Sequence, residues 1–482
     1  MNGLAVAIAA VPAALAVAVL FVPSRVGRIA TAIGGLATAA CIAALALQTA
    51  DGAPGAPDAL SALFLLPVAI VYGSVGLYTT WYVRVESIGS GGDEIYRREF
   101  LALTNAFAAA EAIVPLVTNM AGVWVALEVT TILAALLVRL QGTAAALEAA
   151  WKYILIASCG LAIGLVGVIV LYASGTAVLG QHYEPVWSAY MVVASRLNPD
   201  GVRLAFVLAL VGFGTKMGLA PMHTWLPDAH GAGPTPTSAM LSGVLLSDAL
   251  YVIVRFASIA NAATGTTMTH RLFFVTGLLS LFVGAFFLLR QRDIKRMLAY
   301  SSIEHMGIVA CGLAFGARIA VTGAFLHAIN HAATKSLAFL SAGRLSHRFN
   351  TREIAGIRGA VAALPISGTM FALAGLALAG MPPFGTFRSE LMILAGGFGG
   401  REWWIAIVAL LLLAIAFAGI VRWVTSVCGG EPPAEVRRGE RDPGAIAAML
   451  LGFAVVLGLG LFVPPPLGRL LEGAFRILEG RS

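Results

Sequence analysis

Apolar stretches separated by short polar links run the length of the chain. Those long enough to cross ~30 Å of hydrocarbon lie at about 4–22, 29–49, 59–83, 99–117, 120–139, 149–173, 202–221, 237–260, 271–289, 297–316, 319–343, 360–384, 402–427 and 444–463. The pattern predicts an all-α polytopic membrane protein with about fourteen transmembrane helices, because a backbone in lipid must satisfy its own hydrogen bonds. The two longest polar links, 174–200 and 428–443, are too short to fold as domains.

Composition excludes the soluble alternative. A chain of 482 residues could make two or three soluble domains, but 59% hydrophobic and 11% charged residues place it among membrane proteins. The formal net charge of +7 does not imply nucleic acid, because the basic residues collect in the links between apolar spans. With the N-terminus outside, the odd-numbered links hold most of them, including Arg25, Arg28, Arg139, Arg290, Arg344 and Arg437. The positive-inside bias then puts both termini outside the cytoplasm.

The 54 glycines suit close helix packing in lipid. Cys41, Cys159, Cys311 and Cys428 stand far apart with no metal-type spacing, and read as small buried hydrophobes. No basic region precedes the apolar N-terminus, so no cleavable signal peptide is expected. The cluster Gly89 to Gly92 lacks the lysine and hydroxyl that complete a phosphate loop.

Candidate chemistry therefore rests on ionisable residues inside the spans. The stretch Phe213–Phe256 holds Lys216 in an apolar run, breaks across Pro221, Pro227, Pro234 and Pro236, and resumes with Asp248 inside a second run. A lysine in hydrocarbon costs roughly 2.5–3.5 kcal/mol on insertion scales, so one that is kept is paired, hydrated or used. Glu111 and Glu128 fall in the fourth and fifth spans, Glu304 and His305 in the tenth, and Glu390 follows Pro382, Pro383 and Gly385 in the twelfth. His327, His331 and Lys335 repeat at steps of four, which puts all three on one face of the eleventh helix.

Plainer readings stand beside these. Arg139 and Lys152 fit span ends that snorkel to the surface, and Glu111 fits a hydrogen bond to a neighbouring helix. His327 alone would be a satisfied core histidine, but in line with His331 and Lys335 it fits a proton relay. His223, Asp228 and His230, in the proline-rich loop, fit either a proton inlet or helix caps. No residue is assigned to a metal.

The runs KMGLAPMHTWLPDAH, DIKRMLAYSSIEHMG and HAINHAATKSLAFLSAG resemble the signature of the antiporter-like subunits shared by respiratory complex I, multisubunit cation/proton antiporters and membrane-bound [NiFe]-hydrogenases. The resemblance covers about residues 99–395. Within it, NMAGVWVALEVTT, LEAAWKYILIASCG, SSIEHMG and GMPPFGTFRSE are most similar to the F-type membrane protein of hydrogenase-4.

This likeness implies two inverted five-helix repeats, each with a broken helix, at 99–260 (helices 4–8) and 271–427 (helices 9–13). N-terminal helices at 1–98 precede them, and a last helix and tail at 444–482 follow. By position it pairs Glu128 with Lys216, makes His327, His331 and Lys335 the central relay, and makes Glu390 the terminal group. One departure is Ser247, which stands about where many relatives carry a lysine; Asp248 follows it.

The expected mechanism is a charge relay. Glu128 facing Lys216 stabilises the ammonium, and separation of the pair leaves a buried charge that favours passing the proton inward. From there the proton would run through His327 or His331 to Lys335 and then to Glu390, with water joining the broken helices. The chain itself is expected to bind no cofactor; the likeness implies partner subunits carrying [NiFe] and iron–sulfur centres, in a bacterial or archaeal cytoplasmic membrane. The leading expectation is a proton-translocating subunit of a group 4 [NiFe]-hydrogenase or complex I-like complex, contacting other membrane subunits and a peripheral redox arm. A subunit of a cation/proton antiporter or inorganic-carbon uptake system, and a non-pumping membrane anchor, stand as alternatives.

Overall fold

The computed structural model describes residues 2–85 and 94–480; the glycine cluster at 89–92 lies outside them. Helices Gly3–Phe21 (α1), Ser24–Ala50 (α2), Ala59–Val85 (α3), Glu94–Ile113 (α4), Met120–Arg139 (α5) and Ala144–Leu179 (α6) come first. The 174–200 link contains a short helix, Trp187–Val193 (α7). Then come Pro199–Met217 (α8), Trp225–Ala232 (α9), Thr235–Met240 (α10) and Leu246–Thr264 (α11). A single widened π turn, Leu241–Leu245, joins α10 to α11.

The rest of the chain forms Thr267–Leu288 (α12), Ile294–Phe315 (α13), Arg318–Phe349 (α14), Ala360–Ala363 (α15), Pro365–Leu378 (α16), Gly385–Phe398 (α17), Trp403–Cys428 (α18), Pro443–Leu461 (α19) and Pro465–Leu478 (α20).

Among the described residues, ten helical segments are long and apolar enough to cross a membrane. The other four expected spans are helical too, and each falls short for a visible reason. The fourth, α4, carries Glu94, Arg97, Arg98, Glu99 and Glu111, while α14 carries Lys335 and Arg344 among polar neighbours. The seventh, α8, carries Asp200, Arg203 and Lys216, and the chain breaks after it before resuming as α9. The twelfth breaks between α16 and α17, so it reaches 398 rather than the expected 384.

Local sequence sets these boundaries. Asn119 accepts from Ala121 N and Gly122 N to start α5, and Asp293 accepts from Lys295 N and Arg296 N to start α13. Helix α8 stops at Gly218, whose φ of 80° is left-handed backbone that favours glycine. Lys216 is thereby left in the last turn of a helix, beside freed carbonyls.

Both ends of the bundle are stitched. At one, Asn2 bonds Gln48, Arg469 pairs with Asp51, Arg318 with Glu472, and Asn261 donates to Leu478 O. The two termini therefore share a face, as an even number of passes requires. At the opposite, arginine-rich face, Arg344 is 3% exposed and pairs with Glu440 at 3.3 Å and Asp442 at 2.7 Å.

The amphipathic α20 is a feature the apolar pattern missed. It buries Leu467, Leu470, Leu471, Ala474 and Leu478 against the bundle and presents its charges outward.

Glycine lets α12 touch α13: a Cβ on Gly284 would lie 2.6 Å from Glu304 N. Gly284→Ala is therefore expected to lower stability by about 1–3 kcal/mol through overpacking, read by thermal unfolding of the purified protein. Gly458→Ala, at a helix position with nothing within 4 Å, is the control and gains a few tenths to ~1 kcal/mol from helix propensity.

Candidate functional site

Two groups of buried ionisable residues occupy the bundle. The first surrounds Lys216. Its Nζ donates to Leu127 O at 2.6 Å and to Thr131 Oγ1, both on α5. Glu128, between those two positions in sequence, makes no ion pair with it. Its Oε1 accepts from Ser158 Oγ of α6 at 2.7 Å, and its Oε2 is buried without a protein partner.

The Glu128–Lys216 ion pair that the family likeness implied is therefore not formed here. The reason is geometric: the end of α8 points Lys216 at the backbone and hydroxyl of α5, and Ser158 claims the carboxylate. Glu111 on α4 and Asp248 on α11 are fully buried in the same half of the chain, and their carboxylate oxygens all lack hydrogen-bond partners in the protein. Glu111 is thus not the hydrogen-bonded helix partner of the plainer reading.

The second group lies between α13, α14 and α17. Lys335 Nζ donates to Leu298 O at 2.7 Å and to Ser301 Oγ, both on α13. The ring of His331 is 5.2 Å from that of His305, and neither of its nitrogens has a hydrogen-bond partner in the protein. His305 Nδ1 and His327 Nε2 are 2.8 Å apart, and His327 Nδ1 is 2.9 Å from Ser389 Oγ on α17. Glu304 Oε2 lies 3.7 Å from His305 Nε2. Lys335, His331 and His327 all turn toward α13, so the shared face expected from their spacing is present.

One expected order is corrected. The sequence led from the histidines to Lys335 and then to Glu390. In the structure Glu390 stands with His305 and His327, the ligand-capable atoms of all three lying within 4.8 Å of one another. Lys335 is about two helical turns away along α14, so the file runs Lys335, His331, His305 and His327, Glu390. The break between α16 and α17 causes this, because it turns α17 so that Ser389 and Glu390 meet the His327 level.

The loop residues separate. Asp228 lies at the arginine-rich face, bonded to Arg296 and 3.8 Å from Lys152. It lines a cavity of about 270 Å³ with Glu148, Lys152, Asp293, Arg296 and Arg352. Lys152 reaches the surface as expected, pairs with Glu148 and lines this mouth. His223 is half-buried. His230 is fully buried between the rings of Trp225 and Phe339, with both nitrogens lacking a hydrogen-bond partner.

The hydroxyls of Thr131, Ser158, Ser301 and Ser389 fix these side chains, and sequence alone did not single them out. Serine and threonine in helices usually bond back to their own backbone, so nothing in the pattern separates these from the rest.

The family model for "NADH:quinone oxidoreductase/Mrp antiporter, TM" matches residues 117–416, which include both buried groups except Glu111. The chain belongs to this family. It is 36% identical to the hydrogenase-4 component F homolog of Methylacidiphilum infernorum over 350 residues, 72% of each protein. It is 29% identical to NADH-quinone oxidoreductase subunit N of Desulforudis audaxviator over 359 residues, 72% of this chain and 69% of that one.

Among solved structures, a chain of the archaeal membrane-bound sulfane sulfur reductase superposes with a TM-score of 0.85 at 23% identity, over 98% of this chain and 97% of that one. A chain of Thermus thermophilus respiratory complex I gives 0.84 at 22%, over 99% and 100%. At these identities the superpositions speak for the family fold alone.

Proposed function

We propose that this antiporter-like subunit translocates protons within a group 4 [NiFe]-hydrogenase or complex I-like oxidoreductase complex. The observation that carries this is the buried file from Lys335 through His331, His305 and His327 to Ser389 and Glu390, which links three helices through side chains able to donate and accept protons. Such residues are costly inside a membrane and mark ion paths. The relationship to a hydrogenase-4 component F homolog supports the choice of complex.

In this reading the arginine-rich face is cytoplasmic, both termini lie outside, and the membrane is the cytoplasmic membrane of a bacterium or archaeon. Protons enter at the Asp228 mouth. Glu128 exchanges its bond to Ser158 for one to Lys216, and this movement sets the charge on the lysine. Partner membrane subunits and a peripheral redox arm with [NiFe] and iron–sulfur centres supply the driving change, since a conformational shift needs an input that distinguishes its two states. Residues 99–260 and 271–427 act as the two repeats.

His327→Phe keeps ring volume but cuts the link between His305 and Ser389. Redox-driven proton uptake into vesicles holding the purified complex is expected to fall roughly 10²-fold, the low end for losing a positioned acid or base. Unchanged uptake at an unchanged redox rate would refute the relay and leave the non-pumping anchor. Co-purification of a [NiFe] large subunit separates the hydrogenase reading from a cation/proton antiporter.

A further inference from the structure

We propose that His305, His327 and Glu390 form a binding site for a divalent cation of the Zn²⁺ type. Sequence spacing gave no metal motif because the donors come from three helices, α13, α14 and α17. In space their ligand-capable atoms lie within 4.8 Å of one another, both histidines are fully buried, and Glu390 is half-buried. Two imidazoles and one carboxylate make a recurrent Zn²⁺ donor set that leaves a fourth position open.

The surroundings fit metal binding at defined atoms. His305 would bind through Nδ1 and His327 through Nε2, the two nitrogens now 2.8 Å apart across a hydrogen bond. Zn–N bonds of about 2.0–2.1 Å at tetrahedral angles place two nitrogens ~3.3 Å apart. The two nitrogens therefore need to part by about half an ångström, and the rings to tilt until both lone pairs converge, as Zn²⁺ replaces the proton between them.

His327 also has an orienting group at its other nitrogen, where Nδ1 meets Ser389 Oγ at 2.9 Å. Such a second contact fixes the tautomer and ring direction of a metal-bound histidine. His305 Nε2 is buried without a hydrogen bond, 3.7 Å from Glu304 Oε2. The hard, oxygen-seeking Mg²⁺ does not suit this set.

A metal here occupies the Glu390 end of the proton file. Its predicted effect, arrest of translocation, rests on the proposed function, whereas binding itself does not. The test uses the purified complex with Zn²⁺ and, as a negative control, Mg²⁺, read by equilibrium dialysis and by X-ray absorption at the zinc edge. The expected result is one more Zn²⁺ per copy in wild type than in Glu390→Gln, roughly 10-fold weaker binding in Ser389→Ala, and a first shell containing two imidazole nitrogens.

Equal zinc in wild type and Glu390→Gln, or a shell of thiolate or oxygen alone, overturns the site. If the variants do not assemble, the wild-type absorption spectrum decides by itself. Proton uptake is measured on the same samples. A two-imidazole shell with uptake undiminished upholds the metal site and refutes the path through His327. Arrest of uptake without that shell refutes the site alone.

Discussion

Lys216→Ala stops coupled proton uptake, a fall of ~10²-fold or more, while electron transfer through the partner subunits continues. Lys216 is fully buried in the half of the bundle that also holds Glu111, Glu128 and Asp248. Its ammonium is held by Leu127 O and Thr131 Oγ1 rather than by a carboxylate, so the charge is placed by α5 and free to be met by Glu128. Alanine removes the amine that the proposed relay uses.

The change also deletes a desolvated charge, so folding need not suffer. The measurement is redox-driven uptake into vesicles, with assembly checked by subunit content. Lys216→Arg is the discriminating partner: it keeps the charge but does not release its proton, and it too abolishes uptake. Normal uptake in either variant contradicts a relay through this position.

Arg344→Ala carries the largest expected loss of stability. The guanidinium is 3% exposed, pairs with Glu440 and Asp442, and lies 4.3 Å from the centre of the Trp81 ring. Glu440 in turn accepts from Ile366 N at 2.6 Å and Ser367 N at 2.8 Å, at the start of α16, where a carboxylate complements the helix dipole. One side chain thus joins α3, α14, α16 and the 429–442 loop.

Removing it leaves a buried carboxylate without its cation, which costs about 3–5 kcal/mol. Thermal unfolding of the purified protein reads this directly. Arg344→Ala with Glu440→Gln recovers part of the loss, because the stranded charge is then gone; no recovery would mean that packing on Trp81, not the ion pair, holds the joint.

The apolar spans were legible because hydrocarbon thickness fixes span length, and the expected boundaries fall within six residues of the helices except at the broken seventh and twelfth. The shared face of His327, His331 and Lys335 followed from helical period alone. What stayed hidden depends on tertiary direction. No spacing rule says that α17 turns Glu390 toward His305 rather than Lys335, nor that Ser158 draws Glu128 away from Lys216. Glu111 read as an ordinary polar residue because burial without a hydrogen bond is a property of the packed bundle.

The widened turn at Leu241–Leu245 matters for any reading of this helix by period. One extra residue in a turn shifts the winding phase of everything beyond it by roughly 100°, so faces counted from α10 do not carry over into α11. Ser247 and Asp248 must be aligned with relatives from the far side of that turn. Deleting one residue within it would restore regular winding and leave the Asp248 carboxylate on its present face, because the widened turn absorbs the extra residue.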